Sequence, residues 1–561
     1  MDQAYGTTPE TQESSDHRDR WTEVTLLEGL REAQQSGTNL LQFALEQGVP
    51  EPTLRYWVSR AQTTDAPAAF VAYFESPEGL LVLHRIVMAA VFVLTQIGGG
   101  GVRMVCTFLQ LSGLWRVVAS GYGTQQQAVK AMEEAITTFG AQERRRLAAK
   151  MEPKWITVTP DETFPCHKTC LVASEPVSDF IFVEQFAENR RAETWDKAMK
   201  KGLEDLPVTV FQSTSDEASA LLKQAKDCGA HHSPDLFHPQ QDISRATSLS
   251  LQRKAAAAER QAEQAAEHVD QLIEEAEDYR AQDCGPGRPR DYARRIEQAL
   301  EEFEAVQAES IDAAERRTRV RQAARGISDA YHPFDLKTGA VRYAATVQAD
   351  LHRCFAQIDQ VADEVGLGEK CRALLDKARR LVPQMVATIS LIHSMIREHV
   401  EALNLGSEVE DALFHLLIPL HYLRLRVRKT KTAEARADLT HTIARLQQAV
   451  DAPGSVLVRL PEPVRAMVER VAIMCAEWFQ RSSSNVEGRN GVLALRHHSI
   501  HHLSQRKLGA LTVIHNFFVL REDGTTAAER FFGHKPRDLF EHLLMNLPPP
   551  KRPAARRAMS N

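Results

Sequence analysis

The fold class predicted from the sequence is mixed α/β: a small unit of order β-β-β-α-β-α, interrupted by a large all-helical insertion and preceded by helical N-terminal domains. Three observations predict it. Strand-like alternation is confined to residues 150–248, helix-forming Ala, Glu, Gln and Arg dominate residues 249–480, and short helical patterns precede both. The 561 residues exceed the usual size of one domain, so several structural units are expected.

Composition bounds the cellular setting. Residues 1–20 are polar and acidic, which predicts disorder and no secretory signal, and the eight cysteines are scattered as in a cytoplasmic protein with reduced thiols. The longest apolar run, Leu80–Ile97, is interrupted by His84 and Arg85, so we expect a buried helix and no membrane association. The net charge of −6 decides nothing about nucleic acid, because basic patches can still form locally.

Residues 21–62 read as three short helices. The spacing around the turn at Gly48 resembles a helix-turn-helix, whose second helix would carry Thr53, Arg55 and Arg60 toward the major groove of DNA. A small helical bundle that serves only packing is the alternative. The pattern therefore indicates a DNA-binding unit without excluding a structural one.

Residues 63–149 predict a second helical unit, for DNA binding or dimerisation. The glycine run Gly98–Gly101 is expected to form a hinge between two helices. No Gly-Lys-Ser or Gly-Lys-Thr follows it, which excludes a P-loop. Two helices around Ser112 and Gly113 again resemble a DNA-binding turn.

The segment Lys154–Phe164 (KWITVTPDETF) alternates as a β-strand, with Ile156 and Val158 on one face and threonines on the other. Pro160 cannot donate to a sheet ladder, so the strand is expected to end near it. Asp161 would then lie at the rim of the sheet, where it could reach a metal ion. A simple turn after a strand is the alternative.

Further strands and helices are predicted downstream. They are strands at 170–177 and 180–187, a helix at 192–206, a strand at 207–214 and a helix from 217 to about 227. Asp216 follows the fourth strand directly. Glu162 should face away from Asp161, and Glu217 opens a helix, where a carboxylate is favourable for dipole reasons alone.

The rest of the chain is mostly helical. Residues 249–480 predict a helical hairpin or coiled coil broken at 284–291, followed by further amphipathic helices. Residues 481–545 contain a helix bearing Glu487 and a second helix around 508–520. Residues 546–561 form a basic tail that is expected to be flexible.

These acidic residues carry a family resemblance. Asp161 after the first strand, Asp216 after the fourth and Glu487 on a late helix resemble the D-D-E carboxylates of DDE transposases, whose catalytic core has the ribonuclease H-like fold. The second spacing, 487 − 216 = 271, fits families with an all-helical insertion before the glutamate. Asp235 and His238 form a D-x-x-H motif similar to the signature of hAT and Mutator-like transposases, and the C-terminal segment resembles bacterial insertion-sequence transposases.

The resemblance implies metal-dependent cleavage and strand transfer on DNA. Two Mg²⁺ or Mn²⁺ ions, roughly 4 Å apart, would be bridged by Asp161, with Asp216 and Glu487 each holding one. Water and then a 3′-hydroxyl would act as nucleophile. The implied partners are double-stranded transposon ends and target DNA, bound by a homodimer or larger homo-oligomer near the bacterial nucleoid.

The glutamate assignment has a rival in Glu529. Glu487 is preferred because polar residues that could hold metal ligands or phosphate surround it. The residues predicted to follow the DNA backbone are Arg489, Asn490, Arg496, Arg506 and Lys507. Solvated helix charge is the alternative for the four cations.

Histidine and cysteine patterns permit zinc but do not favour it. The candidates are the i,i+4 pairs His497 with His501 and His498 with His502, and the segment Cys166–Cys170. A basic helix face and a loop with reduced thiols are the preferred interpretations. Trp478 is expected in the core in preference to stacking on a flipped base.

Three other functions stay open. A catalytically idle DNA-binding protein derived from a transposase would keep the fold but lack converging carboxylates. A stand-alone ribonuclease H-like nuclease would not need two DNA-binding units. A structural coiled-coil protein does not explain the aspartates at strand ends.

Overall fold

The computed structural model describes residues 20–62, 64–281, 290–500 and 503–553, with the backbone alone at 166 and 497–500. The predictions for residues 1–19, for the break within 282–289 and for the end of the basic tail lie outside the described residues. So do the predictions for the side chains of Cys166 and of the histidines at 497, 498, 501 and 502.

Helices make up most of the described chain. They are α1 Arg20–Gln35, α2 Leu40–Glu46, α3 Glu51–Gln62, α4 Ala68–Phe74, α5 Pro77–Val91, α6 Val102–Leu111, α7 Tyr122–Ala148, α8 Ala192–Leu203, α9 Ser219–Asp227, α10 Phe237–Ala281, α11 Tyr292–Ala330, α12 Ala344–Glu364, α13 Glu369–Arg379, α14 Val382–Glu401, α15 Ser407–Ala412, α16 Ile418–Lys429, α17 Ala433–Val450, α18 Glu462–Trp478, α19 Ser484–Ile500, α20 Gln505–Phe517, α21 Ala527–Phe532 and α22 Leu539–Asn546. Two π-helical stretches, Phe92–Ile97 and Leu413–Leu417, extend α5 and α15.

Among the described residues the strands form one five-stranded sheet of order β3-β2-β1-β4-β5. The strands are β1 Lys154–Thr163, β2 Cys170–Glu175, β3 Phe180–Phe186, β4 Val208–Ser215 and β5 His231–Pro234. β1, β2 and β3 pair antiparallel, whereas β1, β4 and β5 pair parallel. The prediction of a mixed α/β fold is confirmed. The carboxyl ends of β1, β4 and β5 therefore lie at one edge of the sheet.

The prediction that Pro160 ends β1 is wrong, because the strand continues to Thr163. β1 pairs with β4 only as far as Val158, and from Thr159 it pairs with β2. One side of the strand is thus open around Pro160. A residue without an N–H is tolerated at such an edge, so the proline does not interrupt the strand.

Strand β5 was not predicted, because its sequence His231–Pro234 (HHSP) has none of the β-branched or aromatic residues that mark a strand. Helix α10 begins soon after it, at Phe237. The predicted boundary between residues 248 and 249 consequently falls inside one continuous helix.

The two faces of the sheet are covered differently. Ile156 and Val158 point into an apolar core shared with helices from both ends of the chain. The opposite face meets the helical region through buried polar groups, which we call the polar seam: Thr157, Gln212, Ser233 and Thr388. The Gln212 amide donates to the Ser233 hydroxyl at 2.9 Å and to the backbone carbonyl of Gln480 at 2.7 Å. The seam orients the helices relative to the sheet, because hydrogen bonds are directional.

The N-terminal helices α1 to α3 enclose a small core of their own, with Leu30, Phe43, Leu54 and Trp57 among its members. Gly48, in the turn between α2 and α3, has a φ of +63°, a conformation that glycine adopts without strain. Among the described residues, one stretch, Pro77–Ile97, is long and apolar enough to cross a membrane. Half of its apolar window is buried inside the protein, as in the core helix of a globular fold.

Candidate active site

Three aspartates lie along the edge where β1, β4 and β5 end. Asp161 belongs to the last part of β1, Asp216 follows β4 directly and Asp235 follows β5 directly. The sequence marks Asp235 only as part of a motif, because the strand before it carries no strand signature. The parallel pairing brings all three to one side of the sheet. We call this region, with Glu487 and His238, the acidic edge.

Asp161 is held at the acidic edge from two sides. The backbone N–H of Glu162 donates to its Oδ1 at 2.8 Å, and the Nδ2 of Asn490 donates to its Oδ2 at 2.8 Å. Burial raises the pKa of Asp161 to about 6; the charge of Asp216 adds to the rise, while the Glu162 N–H and His238 oppose it. A nearby cation would stabilise its ionised form.

Asp216 is half-buried, and its Oδ1 accepts a hydrogen bond from the backbone N–H of Ala218 at 3.1 Å. Its charge raises the pKa of both Asp161 and Glu217, after the larger effect of burial on each. Asp216 therefore lies within electrostatic range of both carboxyl groups. A cation bound there would relieve the repulsion among these carboxylates, which favours its binding.

Asp235 is buried and ties two helices together. Its Oδ1 accepts from the backbone N–H of Phe237 at 2.9 Å, at the start of α10. Its Oδ2 accepts from the N–H of Ser483 at 3.2 Å and from the Ser483 hydroxyl, just before α19. Asp235 therefore positions α19, and because it is fully buried it is less available to a ligand than Asp161 or Asp216, which are half-buried.

Glu487 lies in the first turn of α19, one turn before Asn490 and on the same helix face. Burial raises its pKa, the charge of Asp235 adds to this, and His238 opposes it. The hydrogen bond from Asn490 to Asp161 therefore anchors the helix that carries Glu487 to β1.

His238 lies in the first turn of α10, where its backbone N–H donates to the carbonyl of Asp235 at 3.2 Å. Its charge opposes the rise in pKa that burial causes at Asp161, Glu217 and Glu487. His238 thus lies within electrostatic range of all three carboxyl groups. Of the D-x-x-H pair, the aspartate is structural and the histidine faces the acidic edge.

Glu217 also lies in this region. From the sequence we expect it to be the first residue of a helix. Helix α9 begins at Ser219, so Glu217 precedes the helix and is not explained by its dipole. Burial raises the pKa of Glu217, and its Oε1 is buried without a hydrogen-bond partner, 3.9 Å from the Nδ1 of His232. The signal in the sequence was its position directly after Asp216.

The donor chemistry of the acidic edge fits a hard divalent cation. Carboxylate oxygens prevail, and the Oδ1 of Asn490 is buried without a hydrogen-bond partner beside Asp161. Across the described part of the chain, however, no three His, Cys, Asp or Glu side chains are close enough to hold one metal ion together. The acidic edge thus contains suitable ligand groups, but they do not converge on a single metal position.

Two of the residues predicted to contact DNA lie inside the protein. Arg489 is buried and forms a bidentate ion pair with Glu184 on β3, at 2.7 and 2.6 Å. Lys507 is also buried, and its Nζ donates to the carbonyl of Thr95 at 2.6 Å and to the Oε1 of Gln96 at 2.7 Å. Both cations are enclosed and paired inside the protein, so neither reaches a DNA phosphate in this arrangement.

The remaining predicted cations of this region are partly accessible. Arg496 donates to the backbone carbonyl of Ile97, and the Nε of Arg506 donates to the Oε2 of Glu133 at 2.8 Å. Both link the C-terminal helices to the second helical unit. Asn490, also predicted to contact DNA, donates a hydrogen bond to Asp161.

The predicted recognition helix α3 presents its residues unequally. Arg55 is exposed and pairs with Glu51 one turn earlier, and Thr53 is half-buried. Arg60 is half-buried and donates to the carbonyl of Pro553 at 2.7 Å. The start of the predicted basic tail is held in place, since the side chain of Arg552 is enclosed and forms ion pairs with Glu23 and Glu75.

The rival residues lie elsewhere. Glu529 lies in the first turn of α21, and the carbonyl of Phe531 on that helix accepts a hydrogen bond from Lys154, at the opposite end of β1 from Asp161. Glu162 faces α8, where its Oε1 accepts from the indole N–H of Trp195 at 3.0 Å. Trp478 is buried, as expected for a core residue.

Comparison with known proteins adds one finding. Residues 413–559 match a family of unknown function (DUF6399). No curated protein and no solved structure matches the chain significantly. The matched segment includes Glu487 and Asn490 but neither Asp161 nor Asp216, so the similarity covers one side of the acidic edge.

Proposed function

We propose that this protein is a DDE-type transposase that binds transposon ends and catalyses metal-dependent cleavage and strand transfer of DNA. The observation that carries the proposal is the hydrogen bond from Asn490 to Asp161, which brings the Glu487 helix to the edge where β1 and β4 end. Strand order β3-β2-β1-β4-β5, with two parallel strands added to an antiparallel hairpin sheet, is also the order expected of a ribonuclease H-like core.

In this proposal Asp161, Asp216 and Glu487 would hold two Mg²⁺ or Mn²⁺ ions. Bound there, the ions would activate an attacking oxygen and stabilise the leaving oxygen of a phosphodiester. The chain's own residues prepare the site. Asn490 orients the Asp161 carboxylate, Asp235 fixes the start of α19, and His238 offsets part of the negative charge.

DNA recognition would fall to the N-terminal helices, with Arg55 and Thr53 of α3 as the accessible candidates. Two ends must be joined in one reaction, so the active form would be a homodimer or larger homo-oligomer in the bacterial cytoplasm. Double-stranded DNA, and no membrane, is the partner this proposal requires.

The test is a cleavage and strand-transfer assay with the full chain, Mg²⁺ or Mn²⁺, and DNA that carries the gene's own flanking sequences. Asp161→Asn, Asp216→Asn and Glu487→Gln should each abolish strand cleavage and leave DNA binding intact. Glu529→Gln is the matched control and should keep activity. Full activity in the Asp161→Asn variant would refute the proposal.

One observation favours a second candidate, a catalytically idle DNA-binding protein derived from a transposase. Within the described residues the acidic side chains do not close around one point. For such a protein, DNA binding would persist in every acidic variant, and the unaltered chain would cut no DNA with either metal.

A further inference from the structure

A groove of about 870 Å³ lies in the helical region, between α10, α11 and the start of α17. Its floor is apolar and includes Ile243 and Val320. One wall, from α11, carries Arg317, Arg321 and Arg325. The groove thus combines an enclosed floor with a cationic wall that the proposed chemistry at the acidic edge does not use.

The three arginines form a straight row. They are four residues apart on one helix, so successive Cα atoms lie about 6 Å apart on the same face. All three are exposed, and in the described part of the chain none of them has a carboxylate within ion-pair distance or an internal hydrogen bond. Like charges four residues apart on a helix repel one another weakly, and a bound anion would relieve that repulsion.

Neighbouring arginines on the same helix behave differently. Arg316 donates to Glu309 at 2.8 Å and also lies 3.5 Å from Glu364, and Arg319 pairs with Glu364. Helix α11 therefore pairs the two arginines that flank the groove row, whereas the row itself forms no ion pair within the described residues.

The other walls are polar. Helix α10 contributes Ser244, Ser248 and Gln252, which can donate hydrogen bonds to phosphate oxygens. The start of α17 contributes the carboxylates of Glu434 and Asp438, and Asp329 lies at the end of the α11 wall, one turn after Arg325. An anion in the groove would therefore follow the α10 and α11 walls. A linear polyanion fits such a row better than a compact anion, which could contact only one or two of the arginines.

The α10 wall and the α11 wall of the groove each connect to the acidic edge. Gln240, which lines the groove, lies in the first turn of α10 beside His238. Arg481 donates to the carbonyl of Ser328, which also lines the groove, and Arg481 belongs to the segment that leads into α19. A strand that extends from the acidic edge along α10 would enter the groove.

We propose that this groove binds the sugar-phosphate backbone of double-stranded DNA that extends from the acidic edge, with Arg317, Arg321 and Arg325 as the phosphate contacts. The inference rests on the proposed function for its ligand. It assigns to the helical region a role in holding DNA, independent of base sequence.

The test compares binding of a fluorescein-labelled duplex of arbitrary sequence at about 50 to 200 mM salt. The variant Arg317→Gln/Arg321→Gln/Arg325→Gln should lose about tenfold or more in affinity, and its slope of log affinity against log salt should fall by about 3. The variant Arg317→Lys/Arg321→Lys/Arg325→Lys should keep most of the slope of log affinity against log salt, because it keeps the three positive charges. Arg294→Gln, at an exposed position on the same helix, is the matched control and should bind as the unaltered chain does.

An unchanged affinity and salt slope in the glutamine triple variant would overturn the groove proposal. A second probe is a fluorescein-labelled single-stranded RNA. If the glutamine triple variant lost affinity for this RNA but kept its affinity for the duplex, the groove proposal would be overturned as well. All binding measurements use the Asp161→Asn background, so that cleavage does not interfere. Arginine-dependent DNA binding, in a protein whose unaltered chain never cleaves DNA, would refute the proposed function and support the groove, whereas cleavage with an unchanged slope would do the reverse.

Discussion

Asn490 on α19 donates a hydrogen bond to Asp161 on β1 across 329 positions of sequence. This contact fixes the position of the late glutamate helix against the first strand. Asp161 is also the acid whose pKa burial raises to about 6. The same residue therefore contributes to both the architecture and the electrostatics of the acidic edge. A substitution that removes its charge tests the electrostatic contribution.

Asp161→Asn should stabilise the protein at pH 8. A folded-state pKa of about 6, above the ordinary 3.8, means that ionisation opposes folding increasingly between pH 3.8 and 6, fully above pH 6 and not at all below 3.8. Removing the charge should raise the free energy of unfolding by about 1 to 3 kcal/mol at pH 8, with the gain vanishing toward pH 4. Urea unfolding at both pH values measures it.

Addition of Mg²⁺ provides the companion measurement. If Asp161 holds the ion, millimolar Mg²⁺ should raise the melting temperature of the unaltered chain at pH 8 and leave that of Asp161→Asn unchanged. Na⁺ at equal ionic strength controls for screening. An equal shift in both proteins would place the ion elsewhere.

The buried pair of Arg489 and Glu184 should behave as a structural ion pair. Either Arg489→Met or Glu184→Leu alone leaves a buried charge without its partner and should cost about 3 to 5 kcal/mol. The double variant should cost much less than the sum of the two. Thermal unfolding of all four proteins completes the cycle, and simple additivity would mean that the two side chains do not interact.

Ser483→Ala should separate positioning from DNA binding. The change removes the hydroxyl that donates to the buried Asp235 and should cost about 1 to 2 kcal/mol of stability. Because Asp235 holds the start of α19, cleavage should fall while duplex affinity stays the same. Ser482→Ala is the matched neighbour, since the Ser482 hydroxyl accepts a local hydrogen bond from the backbone N–H of Ser484. Equal losses in the two variants would argue against a positioning role for Asp235.

Local patterns were enough to predict the first four strands and the position of Asp216 directly after β4, but they placed Asp161 after a strand that in fact continues to Thr163. Strand β5 was not predicted, because the segment HHSP is a strand through its pairing with β4 and not through the strand preference of its residues. The internal roles of Arg489 and Lys507 escaped because their partners lie far away in sequence: Glu184 is 305 positions from Arg489. A charge near a candidate site cannot be assigned to solvent, DNA or an internal partner until long-range contacts are known.

Gln212 provides the last prediction, because one amide serves both the sheet and the helices. Its side chain is buried, and Gln212→Leu would leave the Gln480 carbonyl and the Ser233 hydroxyl without this donor. An unsatisfied buried polar group costs about 1 to 3 kcal/mol, so the variant should lose about 2 to 4 kcal/mol in urea unfolding. Gln240→Leu, on the partly exposed start of α10, is the control and should change stability little. A loss confined to the control would show that the polar seam does not hold the helical region to the sheet.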